Sequence, residues 1–239
     1  MPFFLVLVQK KSWHYYAYLL NHVWAKIFYA VCFFTLEIEY KAPLDKKKQY
    51  IFCPNHTSFL DIPLMGFSPV YFVFVGKSSI AKVPLFGYMY KKLHVTVDRN
   101  SLKSKYETIE RSKKAIEEGK SLVIFPEGGI VSQEPPKMAR FKDGPFRVAI
   151  EKQIPIVPVT IPYNWIILPD DGKMMVTKRT SKLIFHEPID TEGLSIQDMD
   201  ELKDRVYKII NDELIRYNSL KTNDIGSFTN KNFQKVLPK

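Results

Sequence analysis

Two side chains able to manage a proton lie close together in the stretch NHTSFLD, residues 55–61. His56 can take up a proton near neutral pH, and Asp61, five positions on, can hold an imidazole in one tautomer. Five residues on an ideal helix is a rotation of roughly 140°, so the two side chains diverge if both are helical. They meet if His56 lies in a loop and Asp61 in the first turn of a helix. The carboxylate then accepts from one ring nitrogen, and the other stays open to a substrate hydroxyl. That is the base and orienter of a hydrolase triad, with no serine required if the substrate brings the hydroxyl. A plainer reading competes for the same residues. Ser58 and Asp61 have the spacing of a capping box, which makes Asp61 a helix cap and His56 a turn residue.

The elements that would position this pair can be read on either side of it. A short apolar run rich in β-formers, 50–53, ends just ahead, and Pro54 with Asn55 marks a turn. Similar runs occupy 70–75, 94–97, 121–125 and 154–161; the prolines of the last point to an edge or irregular strand. Segments 173–179 and 181–187 read as two more strands, closely linked as in a hairpin. Amphipathic helices are expected over 102–120, with Gly119 as C-cap, and over 196–217. Such alternation predicts an α/β fold, a single domain with a mixed, largely parallel central sheet flanked by helices. The chain divides into an N-terminal membrane-associated helical segment (1–40), the main domain (41–217) and a basic tail without a firm period (218–239). No internal repeat is evident.

Composition narrows the partners. Lys and Arg number 35 against 25 Asp and Glu, a net charge of +10, which suits an anionic partner. The basic residues are dispersed and the aromatic ones gather in an apolar segment, which argues against nucleic acid. Residues 13–36 are dense in Trp, Tyr and Phe but interrupted by His14, Asn21, His22 and Lys26. The uncharged stretch after Lys26 falls short of the roughly 20 residues that span a bilayer. One or two helices lying in the membrane surface fit best, monotopic and on the cytoplasmic face; a helix pair closing over the core is the alternative. The run before it, ending in Lys10 and Lys11, lacks the order of a secretory signal. Cys32 and Cys53 have no metal or redox spacing and read as buried, reduced thiols. No metal and no cofactor is expected.

Three further stretches could carry chemistry. VDRNS presents Arg99 just after a strand, where open α/β sheets place ligands and where a guanidinium can fork onto phosphate oxygens; an ion pair with Asp98 is the alternative. FPEGG (125–129) follows another strand, and its Gly128 and Gly129 allow a close backbone approach. KMARFKDGPFRVAI sets Lys137, Arg140 and Lys142 ahead of a helix opening near Gly144, a plausible anion site.

In this order, NHTSFLD, VDR, FPEGG and IPIVPV resemble the blocks of the glycerolipid acyltransferases, specifically the 1-acylglycerol-3-phosphate acyltransferases. The resemblance covers about residues 45–165. It implies acyl transfer from a thioester, of coenzyme A or acyl carrier protein, to the free hydroxyl of lysophosphatidic acid. His56 would be the base and Asp61 its orienter, with no acyl-enzyme on Cys53 or Ser58. By the same resemblance Asn55, Lys77, Arg99, Glu127, Gly128 and Gly129 belong to substrate binding, Arg99 on the acceptor phosphate. Backbone N–H groups at Gly128 and Gly129 are candidate oxyanion donors. The third block departs from the family pattern, with Gly129 and Ile130 in place of Thr and Arg. Either Arg99, Lys77 and the 137–142 loop hold the phosphate, or the acceptor is another lysophospholipid or a lyso-amino-acid lipid. A catalytically silent membrane-binding module is the remaining reading.

Overall fold

The computed structural model describes residues 2–78, 86–98 and 101–224. Its frame is a sheet of seven strands: β1 (Leu36–Tyr40), β2 (Ile51–Pro54), β3 (Phe72–Lys77), β4 (Val95–Val97), β5 (Ser121–Val123), β6 (Ile156–Thr160) and β7 (Ser181–Phe185). They lie in the order β1-β7-β6-β2-β5-β3-β4, with every pairing parallel except β6 against β7. The predicted mixed, mostly parallel sheet in one domain is therefore what the chain adopts. Because β2, β3, β4 and β5 run the same way, their C-terminal ends share one edge. Residues far apart in sequence, after Pro54, at Lys77, after Val97 and after Val123, are delivered to that edge.

Both faces of the sheet are covered, as a parallel sheet requires. On one face α5 (Leu102–Glu117), α6 (Gly144–Lys152) and α8 (Met199–Asp224) bury Ile51, Leu122, Ile124, Phe146 and Val206. Ser101 caps α5 by accepting from the Ser104 N–H at 3.1 Å, and Gly119 ends the turn beyond it at φ +83°. On the other face α2 (His14–Val31) and α3 (Asp61–Met65) cover Phe52, Val157, Leu183 and Phe185. The short helices α1 (Pro2–Leu7), α4 (Phe86–Leu93) and α7 (Asn164–Ile167) complete the set among the described residues.

The structure corrects several expectations. Strand β6 is interior, not an edge, despite Pro158. The Pro158 carbonyl accepts from the His186 N–H, so the missing N–H falls on the β7 side, where pairing is only two residues long. Residues 173–179 form no strand: Met174, Met175 and Val176 are 65%, 68% and 55% exposed, and β7 pairs with β1 and β6 instead of closing a hairpin. The N-terminal helical segment stops at Val31, and 36–40 is an edge strand of the sheet. Helix α8 continues to Asp224, seven residues into the expected tail; the remainder of that tail lies outside the described residues. Cys32 is exposed, whereas Cys53 is buried.

Helix α2 is apolar nearly all round. One side docks: Ala17, Ala25 and Tyr29 are buried, the Tyr18 hydroxyl donates to the Val70 carbonyl at 2.9 Å, and His22 Nδ1 lies 2.7 Å from the Gly66 carbonyl. The other side leaves Tyr16, Leu19, Val23, Ile27 and Val31 exposed in one stripe. No described helix is long and apolar enough to cross a membrane.

Candidate active site

The loop from Asn55 to Leu60 leaves the end of β2, and Asp61 opens α3, so the geometry that allows His56 and Asp61 to meet is present. His56 Nδ1 lies 3.0 Å from Asp61 Oδ2. The same oxygen accepts the backbone N–H groups of Thr57 (2.8 Å) and Ser58 (2.9 Å), and Oδ1 accepts from Asn164 Nδ2 at 2.8 Å. Asp61 is thus an orienter that also anchors the loop before it, while α3 itself, with Leu60 at its N-cap position, has no side-chain cap. Its contacts to Thr57 and Ser58 satisfy the donors ahead of α3, and they fix the carboxylate to which the imidazole is tied. Three N–H donors already point at this buried carboxyl group, which acts as an acceptor throughout; a ring N–H at Nδ1 completes the pattern and leaves the Nε2 lone pair free. The imidazole itself is 8% exposed and stacks on the Phe125 ring, with centroids 3.9 Å apart.

Glu127 occupies a different place from the substrate contact expected of it. It is 1% exposed, with Oε1 accepting the His56 N–H and Oε2 the Ala139 N–H, each at 2.7 Å. It pins the His56 turn to the loop before α6. Burial pushes its carboxyl up to about 7, against the pull of the two N–H donors. Asn55, also fully buried, bridges the Ile161 backbone in both directions: Oδ1 accepts its N–H at 2.7 Å and Nδ2 donates to its carbonyl at 3.0 Å. That extends the β2–β6 pairing one step past Pro54 and aims the loop, leaving the amide little to offer a substrate.

Gly128 closes the FPEG turn at φ +82°, a conformation that favours glycine, and its N–H donates to the Phe125 carbonyl at 3.0 Å. That N–H is engaged in the turn, contrary to the expected oxyanion role. Gly129 follows at φ +153°. Neither nearby nucleophile is poised for attack. Cys53 is fully buried on the α5–α6 face, and burial pushes its thiol far up. Ser58 Oγ donates to the Leu168 carbonyl and accepts from the Leu60 N–H. Lys77 ends β3, exposed, in register with Val97. Arg99 lies outside the described residues.

Beneath this edge, between the sheet and helices α5 and α6, is a cavity of about 680 Å³, a size that holds small ligands. Its floor includes Val75, Ile109, Ile124 and Phe125, and Lys105, Arg140 and Lys142 line it as well. Among the described residues none of these three cations forms a close ion pair, although the Arg140 charge reaches Asp200 and helps to lower its carboxyl, and Lys203 pairs with Asp143. The Lys142 N–H donates to the Pro126 carbonyl, which ties the basic loop to the FPEG turn. Lys137 does not line the cavity and leans towards Glu134.

Three contributors escaped sequence reasoning. Asn164 lies 103 residues from Asp61 in a stretch with no motif, and Ser181 Oγ holds its side-chain oxygen at 2.7 Å. Phe125 was legible as part of FPEGG, but its stacking on His56 was not. Thr57 Oγ1 is buried beside His56 without a hydrogen-bond partner among the described residues, a polar atom left over for a ligand.

Known proteins with similar features bear on this arrangement. A protein of Chlamydomonas reinhardtii named 1-acyl-sn-glycerol-3-phosphate acyltransferase is 27% identical over 88% of this chain and 63% of its own. One of the same name from Saccharomyces cerevisiae is 30% identical over 79% of this chain and 64% of its own. The chain thus spans just under two thirds of the length of either relative. The crystal structure of the acyltransferase PlsC from Thermotoga maritima shares the fold, with a TM-score of 0.74 at 23% identity over 91% of this chain and 88% of that one. The Acyltransferase family model matches residues 35–162, from the edge strand β1 through the loop, turn and strand ends that surround His56. More than half of the chain, including the whole edge on which the imidazole and carboxylate meet, follows that pattern, and the chain belongs to the acyltransferase family.

Proposed function

We propose that this chain moves a fatty acyl group from a thioester to the free hydroxyl of 1-acylglycerol-3-phosphate, forming phosphatidic acid. The observation that carries the reading is the 3.0 Å contact between His56 Nδ1 and a buried Asp61 whose other donors are all local or structural. Nε2 takes the proton of the acceptor hydroxyl as its oxygen attacks the thioester carbonyl. Asp61 stabilises the imidazolium, which then protonates the departing thiolate. Cys53 and Ser58 are committed to the fold, which supports direct transfer without an acyl-enzyme. Names of the relatives support lysophosphatidic acid as acceptor, and Lys77, Arg99 and the cavity-lining Lys105, Arg140 and Lys142 supply cations for its phosphate or for the phosphates of a coenzyme A or carrier-protein donor. Ile130 favours a second reading, the same chemistry on a lysolipid without a terminal phosphomonoester.

Both substrates are amphiphiles, so we place the enzyme on a membrane surface, monotopic and cytoplasm-facing, with the exposed stripe of α2 against the lipid. Thiol release from an acyl thioester, measured with lysophosphatidate, with lysophosphatidylcholine and with no acceptor, tests the assignment. Release that requires lysophosphatidate and falls by roughly 10²–10⁴-fold in His56→Ala is expected. Release with lysophosphatidylcholine alone would move the acceptor to the second reading. Equal rates in the two proteins would remove His56 from the reaction.

A further inference from the structure

The segment that the sequence presents as a strand, 173–179, is an exposed loop, and its apolar residues are left uncovered by the described residues. Met174, Met175 and Val176 are 65%, 68% and 55% exposed in succession. Single exposed apolar residues are ordinary on a protein surface, whereas three in a row need an occupant. Cations flank them, with Lys173 before and Lys178 and Arg179 after; Asp170 and Asp171 lie further back, where Asp171 Oδ1 accepts the Lys173 N–H. Arg179 stacks over the Tyr163 ring at 3.7 Å, which fixes one flank.

Both ends of the loop are tethered to places that matter. At its start the Leu168 carbonyl accepts from Ser58 Oγ at 2.7 Å, in the loop between His56 and Asp61. At its end the Thr35 hydroxyl bonds the Thr180 hydroxyl at 2.9 Å, and the Ser181 N–H donates to the Thr35 carbonyl. Thr35 lies four residues past Val31, the last residue of α2, and Val31 and Phe33 are 70% and 87% exposed. The C-terminal root of the loop is therefore tied to the segment that leads out of α2. We infer that residues 173–179 are a second lipid-contacting element, which inserts Met174, Met175 and Val176 among the acyl chains while Lys173 and Lys178 meet anionic headgroups. A lipid surface is the occupant that suits an apolar tip of two pliable methionines and a valine set between cations, its root tied to the segment that follows α2. Because its root bonds Ser58, docking of the loop would bring the His56–Asp61 edge to the interface where both substrates reside. The inference rests on the membrane-surface reading above.

The test uses the full chain in a Cys32→Ser background, with Cys53 buried and unreactive, and an environment-sensitive fluorophore on Met175→Cys or, as a control, on Lys208→Cys of α8. Vesicles of phosphatidylcholine, and of an equimolar mixture with phosphatidylglycerol, are added, and flotation is measured in parallel. A blue-shifted, enhanced emission at position 175 with the mixed vesicles, and none at 208, is expected. Flotation with a silent label at 175 overturns the loop and leaves the α2 reading standing. Failure of the unlabelled wild type to float overturns both. An emission change that follows protein concentration without lipid identifies a second copy as the occupant and overturns the inference. Replacing Met174, Met175 and Val176 together by Ser should weaken vesicle partitioning about tenfold, with turnover of monomeric short-chain substrates unchanged; unaltered partitioning would also overturn it.

Discussion

Two regions of this molecule invert the usual placement of residues, in opposite senses. Around His56 the interior is crowded with polar groups: Asp61, Asn55, Glu127, Asn164 and Ser181 are all buried. Along α2 and the 173–179 loop the exterior is crowded with apolar ones. The buried polar groups are almost fully satisfied. Asp61 has four donors, Glu127 has two, and Asn55 is bonded in both directions to Ile161. The exposed apolar groups have no comparable partners among the described residues. A satisfied inversion specifies geometry, whereas an unsatisfied one specifies an external partner. That difference separates the residues that hold the site from the surfaces proposed to meet lipid.

If saturation of Asp61 is what orients the base, the largest effect should come from Asp61→Asn. An amide turns an NH₂ towards one set of donors and cannot stabilise the imidazolium. Turnover should fall by about 10³–10⁴-fold, and stability by roughly 2–4 kcal/mol in urea denaturation. Normal turnover would break the comparison at its centre.

Glu127→Gln sharpens it. Glutamine has one acceptor where two N–H groups need one each, so the clamp between His56 and Ala139 loses a side. The linkage has a definite sign. Glu127 titrates at about 7 in the fold and at 4.5 ordinarily, so its contribution to stability falls as pH rises through that window and is flat above it. Buried His94, pulled down to about 3, and His186, pulled down to about 4, impose the opposite slope below 6.5, so the observable is the difference between wild type and variant. That difference should shrink by of order 3 kcal/mol between pH 4.5 and 7.5. A flat difference profile would mean that the carboxylate is already ionised across the window and the clamp is held by charge.

Asn55→Ala asks whether a buried amide beside the base is structural. Loss of about 1–3 kcal/mol of stability with KM for both substrates unchanged is expected; a raised KM with unchanged stability would return Asn55 to substrate binding. The smallest effects belong to the cavity cations. Arg140→Ala and Lys142→Ala should each raise KM for one phosphate-bearing substrate by roughly 3–10-fold, with kcat little altered. The substrate affected identifies which phosphate the cavity receives.

Much of this was legible locally. A strand ending at a Pro-Asn turn, followed by a histidine and by an aspartate at the head of a helix, allows the pairing of His56 with Asp61, because only loop and first turn are involved, and leaves the turn-and-cap reading beside it. The alternation of strands and helices likewise announces a parallel sheet with ligands at one edge. Other residues were misread for the same reason: their partners are remote. Asn164 contributes through a bond that spans 103 residues, and Glu127 binds a backbone N–H 71 residues away. No local spacing encodes either contact.

The sequence by itself determined the chain's alternating elements, the loop-and-helix step on which base and orienter could meet, and the aromatic density of its N-terminal segment. Only the tertiary structure decided that Pro158 could lie in an interior strand, that Glu127 would be a clamp, and that Met174, Met175 and Val176 would face outward. The physical reason is that periodicity states which residues share a face, while burial and hydrogen bonding depend on what that face meets. For β6 the neighbour was a short antiparallel partner that tolerates a missing N–H, and for 173–179 the fold supplies no neighbouring strand.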